Sequence, residues 1–558
     1  MSQAPHYKSN LRDIFFNLFE VLEIQKHTLG QGPFGLDEAT VRDTLIALEA
    51  FAQAEFAPSF VEADRVPLEL DGDGNVTIPP GLKKALQAFY RDEWHRFELP
   101  ESLGGYGSPP SVIWSAFELQ SGANATAAFY LFGVSIARII DRLATPSQKA
   151  RFVPNMIDKH WGGTMVLTEP DAGSDVGAGR AKARHIEGDV WELEGTKRFI
   201  TNGDFDAVEN VVHLVLARPE GHGPGTKGLS MFIVPKFWVD ENGQMGARNG
   251  AFVTALEKKM GIKGSATCEL TLGDRMPCRG LLVGEVHQGI RQMFHVIEHA
   301  RMAVGVKSIA TVSTGYLNAL AYAKERVQGP DLKLATQKDS PRVRIIEHPD
   351  VRRVLLELKA HAEGMRALVT YTAHTQDLVE ITGGHGSAES KAMDLRNDLL
   401  LPLVKGYCSH RGYSLLGDAL QVFGGAGYVQ DFPMEQYIRD QKIDTLYEGT
   451  THIQAMDLIF RKIMKDGGAT LRSLLGEAQA TATALAQHPA VGPDAQALQK
   501  ALGEVQGILM ALLPKASESV YHIGLQANRV LVAVAETVIG WLLVRQAGVA
   551  AEKLQAAS

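Results

Sequence analysis

The 558-residue chain contains little cysteine and no large excess of either charge. Its three cysteines, Cys268, Cys278 and Cys408, are scattered and form no CxxC pair. They predict no disulfide framework, favour the reducing cytoplasm and give no reason to expect a metal site. Lys and Arg number 56 against 64 Asp and Glu, a formal net charge of −8. This balance lacks the basic footprint of a nucleic-acid-binding protein, so no nucleic-acid partner is expected.

An apolar targeting or anchoring segment is also missing from the sequence pattern. The first residues, MSQAPHYKSNLRD, contain no apolar core of a signal peptide. The longest apolar run, Val530–Val544, includes Glu536 and is shorter than the ~18 residues that a spanning helix needs. We therefore expect no transmembrane segment. Hydrophobic residues make up 45% of the chain, which is ordinary for a globular protein long enough for several domains.

Helical spacing of apolar residues dominates both ends of the chain, and short β-branched runs lie between them. The sequence thus predicts an α+β fold, with an all-helical first third and an antiparallel β-barrel or sandwich at about 161–285. The predicted helical segments are Leu11–Leu22, Asp37–Phe51, Leu82–Phe97, Ser111–Lys159, Met293–Arg326, Pro349–Thr382 and Ser387–Phe423. The predicted strands are Val190–Ile200, Val211–Ala217, Leu229–Val234 and Cys268–Leu272.

The predicted domain boundaries follow these changes of pattern. They give an N-terminal helical domain (1–160), a middle β domain (161–285), a C-terminal helical bundle (286–465) and an appended helical domain (466–558). The appended segment has Ala- and Leu-rich helical spacing divided by Pro489, Pro493 and Pro514. Its residues Gly467–Ser558 hold six basic and six acidic residues, so their charge is balanced.

The most informative stretch for chemistry is Leu446–Gln454, LYEGTTHIQ, in which Glu448 lies between an aromatic residue and a glycine. The preceding residues predict a helix that ends just before this stretch. Gly449 would let a ligand approach the backbone closely. Desolvation would raise the pKa of Glu448 and favour a role as general base. Taken alone, an ordinary surface turn is the commoner interpretation of a Glu-Gly pair.

Four sequence blocks together change that interpretation. MVLTEPDAGSD at 165–175, KRFITNG at 197–203, QVFGGAGY at 421–428 and YEGTTHIQ at 447–454 resemble the flavin-dependent acyl-CoA dehydrogenase family, in its order and approximate spacing. The appended domain resembles that of the family's longer subgroup. The resemblance implies an N-terminal helical domain, a middle β-barrel, a helical bundle and FAD as cofactor.

The resemblance also implies the reaction. Removing an α-proton and a β-hydride from a saturated acyl-CoA thioester to give the trans-2-enoyl-CoA needs a base, a hydride acceptor and stabilisation of the carbonyl oxygen. Glu448 matches the family's base, and flavin N5 is its hydride acceptor. Some relatives carry the base on another helix, at the position of Ala300, and alanine cannot take a proton. Electrons would then pass to an electron-transferring flavoprotein.

Further site residues are implied by the same resemblance. Arg326 matches an arginine that reaches the FAD of a neighbouring subunit. Arg301 would orient the base or the thioester, and the alternative for Arg301 is a helix-surface salt bridge with Glu298. The implied FAD contacts are Met165, Leu167, Thr168, Gly173, Ser174, Phe199, Ile200, Thr201, Arg326, Gln421, Gly424, Gly425, Thr450, His452 and Gln454. The implied substrate contacts are Ser174, Glu298, Arg301, Gly449 and Arg461.

Several alternatives stay open or are disfavoured on the sequence. The long subgroup includes broad-range dehydrogenases and enzymes for methylmercaptopropionyl-CoA, and no spacing distinguishes them. An acyl-CoA oxidase would share the fold. A non-catalytic DNA-binding flavoprotein would need a basic appended domain, which the balanced charge of 466–558 disfavours. A homodimer is expected, with the appended domain covering the surface that shorter relatives use to form tetramers.

Overall fold

The computed structural model describes residues 6–557 and divides by its internal contacts into two units. We call these unit 1 (Met1–Ala50, Pro109–Gly122 and Arg301–Ser558) and unit 2 (Phe51–Ser108 and Ala123–Ala300). This contact-based division groups the two helical ends of the chain in one unit. The four domains predicted from the sequence remain a prediction.

Helices form both ends of the chain, as the apolar spacing predicts. They are α1 Leu11–Phe15, α2 Ile24–His27, α3 Glu38–Phe51, α4 Phe60–Arg65, α5 Pro80–Arg91, α6 Pro110–Phe129, α7 Gly133–Leu143, α8 Pro146–Asp158, α9 Gly289–Glu325, α10 Pro349–Ile381, α11 Lys391–Pro402, α12 Cys408–Phe423, α13 Gly425–Tyr428, α14 Met434–Lys442, α15 Thr451–Met456, α16 Ala469–Leu485, α17 Gly492–Leu512 and α18 Val520–Ala557. Each predicted helical segment lies on one or more of them.

The strands lie mainly in the middle of the chain, where all four predicted strands are confirmed. They are β1 Glu69–Leu70, β2 Val76–Thr77, β3 Gly162–Val166, β4 Lys182–Glu187, β5 Val190–Thr201, β6 Val211–Pro219, β7 Ser230–Pro235, β8 Phe237–Val239, β9 Met245–Arg248, β10 Ala251–Leu256, β11 Thr267–Leu272, β12 Cys278–Leu282, β13 Val327–Pro330 and β14 Arg342–Arg344. The short pairs β1–β2 and β13–β14 were not predicted.

The main sheet of unit 2 closes into a barrel around the long strand β5. Strands β5, β12, β7, β6 and β4 form a ring, because β4 pairs with both β5 and β6. The far half of β5 continues into β11 and β10, and β3 is added beside β6. The α+β fold class with a middle barrel is therefore confirmed.

Two strand pairs in the sheet depart from the predicted antiparallel arrangement. Both β3 and β4 run parallel to β6. The chain reverses direction twice between β4 and β6, so β4 and β6 point the same way. All remaining pairs in the sheet are antiparallel.

The core of unit 2 lies between this sheet and the helices α7 and α8. Strand β7 is buried along its whole length, and β6 along nearly all of it, which explains their continuous apolar sequence. Phe152, Trp161 and Met231 are among the fully buried side chains of one contiguous cluster. This packing fixes the strands that carry the blocks at 165–175 and 197–203.

Unit 1 is a helical assembly in which the appended helices pack against the bundle. Helix α10 contacts α11, α12 and α18, and α15 also contacts α18. The helices α16, α17 and α18 pack on one another, and the breaks between them lie close to Pro489, Pro493 and Pro514. The additional helical segment thus buries its apolar face within unit 1.

Two helical stretches are longer and more apolar than the sequence analysis recognised. Pro110–Leu143 and Val520–Ala557 could span a membrane by length and composition, which corrects the expectation that no such run exists. In the structure 78% and 61% of their most apolar windows are buried inside the protein. Burial in the protein interior accounts for their composition.

Candidate active site

The loop that carries Glu448 joins α14 to α15 and has a left-handed backbone. Glu448 has a φ of 56° and the following Gly449 a φ of 84°. Glycine adopts this conformation freely, whereas it costs another residue about 1–2 kcal/mol. Thr450 then caps α15, because its side-chain oxygen accepts a hydrogen bond from the Ile453 N–H. A non-glycine residue held in this conformation is typical of functional sites.

Two buried side chains hold the carbonyl groups of this loop. Gln454 Nε2 donates to the Glu448 carbonyl at 2.8 Å, and Lys405 Nζ donates to the Gly449 carbonyl at 2.5 Å. Both residues have no exposed surface. Lys405 lies in a π-helical segment, Leu403–Tyr407, between α11 and α12. The strained loop is therefore supported from beneath at two successive residues.

The electrostatic surroundings of Glu448 suit a base. Burial raises its pKa above the usual value of a glutamate, and the nearby charges of Lys405 and Arg301 act in the opposite direction. The residue nevertheless keeps part of its surface accessible, as a group that must reach a substrate requires. Burial also lowers the pKa of Lys405 to about 8, and the nearby carboxylates of Asp444 and Glu448 act in the opposite direction.

Arg301 and Arg461 converge on a single carboxylate near this loop. Arg301 forms a buried ion pair with Asp457 at 2.8 Å. Arg461, one turn along from Asp457, lies 3.6 Å from the same carboxylate and is 68% exposed. Asp457 thus fixes the guanidinium of Arg301 and leaves that of Arg461 to solvent.

A second buried ion pair lies under the same loop. Lys307 and Asp444 have no exposed side-chain surface and meet at 2.8 Å. Tyr447, which precedes the base, donates its hydroxyl to Asp444 at 2.8 Å, and Ser308 donates to the other carboxylate oxygen. These contacts tie the start of the loop to helix α9.

In unit 2, the block at 165–175 runs along the edge of β5. Met165 lies on β3, and the Thr168 carbonyl accepts a hydrogen bond from the Arg198 N–H at 2.9 Å. Lys197 Nζ donates to the Leu167 carbonyl at 3.0 Å and to Glu169 at 2.8 Å. Both partners of this ion pair are buried. The two blocks, far apart in sequence, are thereby joined.

Glu169 also accepts hydrogen bonds from the backbone at the start of β4. The N–H groups of Arg180 and Ala181 both donate to its carboxylate. Burial alone would raise the pKa of Glu169, but Lys197 and these donors lower it below the usual value. Gly173 and Ser174, in the loop between Glu169 and β4, are exposed. No atom lies within 4 Å of where a Cβ on Gly173 would stand.

A β-bulge on β5 presents Phe199 outwards. The pairing of β5 with β11 shifts between Ile200 and Lys197. Phe199 has a φ of 60° and is 54% exposed, while Ile200 beside it is buried. Thr201 ends the strand opposite Thr267. A large exposed aromatic on a strained backbone is suited to cover a flat ligand.

The remaining predicted cofactor residues of unit 1 lie at two adjoining helix ends. Arg326 follows α9, and Gln421, Gly424 and Gly425 lie at the junction of α12 and α13. The rings of Tyr322 and Phe423 stack at 4.6 Å and so bring these ends together. All four predicted residues are exposed.

Two predicted residues have other surroundings. His452 on α15 is exposed and its Nδ1 lies 3.2 Å from Asn528 Oδ1 on the appended helix α18. Glu298 lies half-buried on α9, in unit 2. Four residues that support the Glu448 loop and the block at 165–175 were not predicted from the sequence: Lys405, Lys307, Lys197 and Glu169. A lone lysine inside an apolar helical run, as in LLLPLVKGYC, is the signal that could have revealed Lys405.

Comparison with known families decides the classification. The family model described as acyl-CoA dehydrogenase, middle domain, matches residues 164–274, and that described as acyl-CoA dehydrogenase, C-terminal domain, matches 287–463. A third, acetyl-CoA dehydrogenase C-terminal like, matches 474–558. The chain belongs to the acyl-CoA dehydrogenase family. It is an oxidoreductase that acts on acyl-CoA thioesters, and its family is flavin-dependent.

Individual relatives cover most of the chain. It is 50% identical, over 99% of its length and 92% of the relative's, to the broad-specificity linear acyl-CoA dehydrogenase FadE5 of Mycobacterium tuberculosis. It is 35% identical, over 90% and 84%, to the 3-methylmercaptopropionyl-CoA dehydrogenase of Ruegeria pomeroyi. The solved structure of Caenorhabditis elegans ACDH-11 in complex with C11-CoA is similar over 98% of this chain and 89% of the ACDH-11 chain. The TM-score is 0.75 and the sequence identity is 17%. This last likeness supports the fold alone.

Proposed function

We propose that Glu448 is the base that removes the α-proton of a linear acyl-CoA. Its carboxylate oxygen accepts the proton, the β-hydrogen leaves with two electrons as hydride, and a carbon–carbon double bond forms to give the trans-2-enoyl-CoA. The observation that carries this proposal is the Glu448 loop itself: a left-handed glutamate whose pKa is raised by burial. The backbone N–H of Glu448 would help to polarise the thioester carbonyl.

The residues present fit FAD, which supplies the hydride acceptor when it is bound. Gln454 Oε1 is buried and has no hydrogen-bond partner in the described part of the chain, so a donor group of a ligand would satisfy it. In unit 2, Phe199 and Thr201, with Ile200 between them, would flank the flavin ring, and Met165, Leu167 and Thr168 its pyrimidine edge. The open space beside Gly173 leaves room for phosphates at the turn of Gly173 and Ser174.

Unit 1 carries its own set of residues that we propose as FAD contacts. We assign Thr450, His452 and Gln454 to the FAD contacts near the base. The exposed group of Arg326, Gln421, Gly424 and Gly425 would receive the FAD of a second subunit, which requires at least a homodimer. Arg326 suits a pyrophosphate because its guanidinium can bind two oxygens at once.

The substrate contacts are assigned around the two loops. Gly449 and Arg301 lie beside the base, and the exposed Arg461 is free to meet a CoA phosphate. Ser174 would contact the pantetheine arm, and Glu298 the acyl side of the site. The 50% identity to a broad-specificity linear acyl-CoA dehydrogenase favours a range of straight-chain acyl groups over methylmercaptopropionyl-CoA, for which the identity is 35%.

The remaining assignments concern the cellular setting. An electron-transferring flavoprotein would reoxidise the enzyme, since the family match is to dehydrogenases rather than oxidases. The three cysteines are unpaired and buried, which supports a reducing compartment such as the cytoplasm.

A panel of acyl-CoAs tests this function. The purified flavoprotein is mixed without oxygen with butyryl-, octanoyl-, palmitoyl- and methylmercaptopropionyl-CoA, and flavin absorbance and enoyl-CoA formation are followed. We expect the linear substrates to reduce the flavin fastest. Preference for methylmercaptopropionyl-CoA would overturn the substrate assignment. Rapid reoxidation of the reduced enzyme by oxygen alone would overturn the electron-transferring flavoprotein as partner.

A further inference from the structure

Lys405 is a buried cation beside the catalytic loop for which the reaction scheme has no part. Its Nζ donates to the Gly449 carbonyl, one residue after the base. No carboxylate of residues 6–557 forms an ion pair with it. Burying an ammonium group away from water is costly unless its charge and hydrogen bonds are used. A lysine retained in this position therefore needs a reason.

We propose that Lys405 is a positioning residue of the catalytic loop, which holds the left-handed backbone of Glu448 and Gly449 through the Gly449 carbonyl and keeps Glu448 ionised through its positive charge. This inference rests on the proposed role of Glu448 as base. Lys405 acts through Glu448 and is assigned no contact with the substrate.

The carboxylate that attracts Lys405 most strongly, that of Asp444, already accepts hydrogen bonds from other residues. Asp444 attracts Lys405, but its Oδ1 accepts hydrogen bonds from Lys307 and Tyr447, and its Oδ2 accepts one from Ser308. With three donors on Asp444, the charge of Lys405 is not neutralised by a direct ion pair. It remains available to act on the Glu448 carboxylate.

The local fold aims Lys405 at the loop. Its π-helical segment is a departure from the α-helix of the kind that often occurs at functional sites. A Cβ on the next residue, Gly406, would lie 3.1 Å from Gln454 Cβ and 2.9 Å from Leu531 Cδ2 on α18. Glycine at this position thus lets the π-helical segment approach Gln454, which donates to the Glu448 carbonyl, and also the appended helix α18.

The charged and titratable groups around Lys405 are few. Helix α9 contributes Arg301 and Lys307, and the segment after α14 contributes Asp444 and Tyr447. The loop itself contributes Glu448. On the far side, Tyr407 donates its hydroxyl to Glu536 of α18 at 3.1 Å. Of the two cations that oppose the effect of burial on Glu448, Arg301 is held by Asp457, whereas Lys405 has no such partner.

The first test measures the pH dependence of flavin reduction in Lys405→Met, which keeps the length of the side chain but not the charge. Activity rises with pH as Glu448 loses its proton, so losing a nearby cation must move that rise to higher pH. We expect a displacement of about one pH unit, or about a tenfold slower reduction on the acidic limb relative to the plateau. Lys462→Met is the matched control. This substitution removes the same charge from another lysine of unit 1, one that pairs with Asp398. Its acidic limb should coincide with that of the wild type.

The second readout is amide hydrogen exchange of the peptide 446–454 in the same flavoproteins. We expect exchange about tenfold faster in Lys405→Met and unchanged in Lys462→Met. If Lys405→Met does not yield folded flavoprotein, Lys405→Gln tests the charge in its place. An unmoved acidic limb together with unchanged exchange would overturn the inference.

Glu448→Gln separates this inference from the function on which it rests. If Glu448→Gln reduces its flavin at the wild-type rate, the base assignment fails and the role of Lys405 fails with it. If Glu448→Gln is inactive while Lys405→Met keeps a wild-type acidic limb and loop, only the Lys405 inference fails.

Discussion

The loop that carries Glu448 in unit 1 and the block at 165–175 in unit 2 are both supported by a buried lysine, but the two lysines differ in their charge partners. In each, a buried lysine donates to a backbone carbonyl beside a predicted site residue: Lys405 to Gly449 and Lys197 to Leu167. Near each, a non-glycine residue has a left-handed φ, 56° at Glu448 in the first loop and 60° at Phe199 on strand β5, beside the second. Both loops thus need side-chain support to keep a strained backbone.

The two lysines differ in their carboxylate partners. Lys197 pairs directly with Glu169 at 2.8 Å, so that its charge is cancelled within the support itself. Lys405 donates to a backbone carbonyl and forms no ion pair within residues 6–557, and burial lowers its pKa to about 8. Lys197 therefore has a structural role, whereas we infer that the charge of Lys405 acts on the Glu448 carboxylate.

The largest effect on stability is expected for Lys197→Met. Removing one partner of a buried ion pair leaves Glu169 uncompensated, which typically costs about 3–5 kcal/mol in the free energy of unfolding. Chemical denaturation of the flavoprotein measures this loss. The acidic limb of flavin reduction should stay where it is in the wild type, and a displaced limb would break the contrast between the two lysines.

The double variant Lys197→Met with Glu169→Gln sharpens this prediction. Without the lysine, a neutral glutamine removes the buried unpaired charge and can still accept backbone hydrogen bonds. We expect the double variant to recover most of the lost free energy of unfolding, so that the two changes are strongly non-additive. Additive losses would mean that the pair is not the source of the effect.

A smaller loss of stability is expected for Lys405→Met. The Gly449 carbonyl loses its donor, which costs about 1–3 kcal/mol, but an ammonium group no longer has to be buried, which offsets part of that cost. We therefore predict a net loss of about 1 kcal/mol by denaturation. A loss as large as that of Lys197→Met would contradict the view that Lys405 has no ion-pair partner to abandon.

An effect of similar size is expected from the strain at Phe199. At most positions alanine is more stable than glycine, but a left-handed φ reverses the order. We expect Phe199→Gly to be more stable than Phe199→Ala by about 1 kcal/mol, measured by denaturation of the two variants. Equal stabilities, or a more stable alanine variant, would show that the bulge on β5 is not strained.

The sequence predicted those features of the molecule that depend on local pattern. The helices, the four central strands and the helix ending before Tyr447 follow from apolar spacing and turn residues, and the structure confirms them. The parallel pairing of β3 and β4 with β6 could not be predicted this way, because strand order is set by contacts between distant segments. The hairpin of β13 and β14 lay in a stretch too polar to indicate strands.

The candidate site divides in the same manner. Motif resemblance located Glu448, Phe199 and the glycine-rich turns, since their chemistry is written in short blocks. It did not reveal Lys405 or the Lys197–Glu169 pair, whose partners are backbone carbonyls or lie 28 residues apart. A lysine in an apolar run is visible in sequence, but the group that it satisfies is known only from the fold.

The most direct test of Glu448 as the catalytic base is single-turnover flavin reduction by Glu448→Gln under saturating acyl-CoA without oxygen. We expect the variant to purify with its flavin and to reduce it about 10²- to 10⁴-fold more slowly than the wild type. Glu380→Gln, which removes an exposed carboxylate at the end of α10, should reduce at the wild-type rate. Rapid reduction by Glu448→Gln would contradict the assignment of the base.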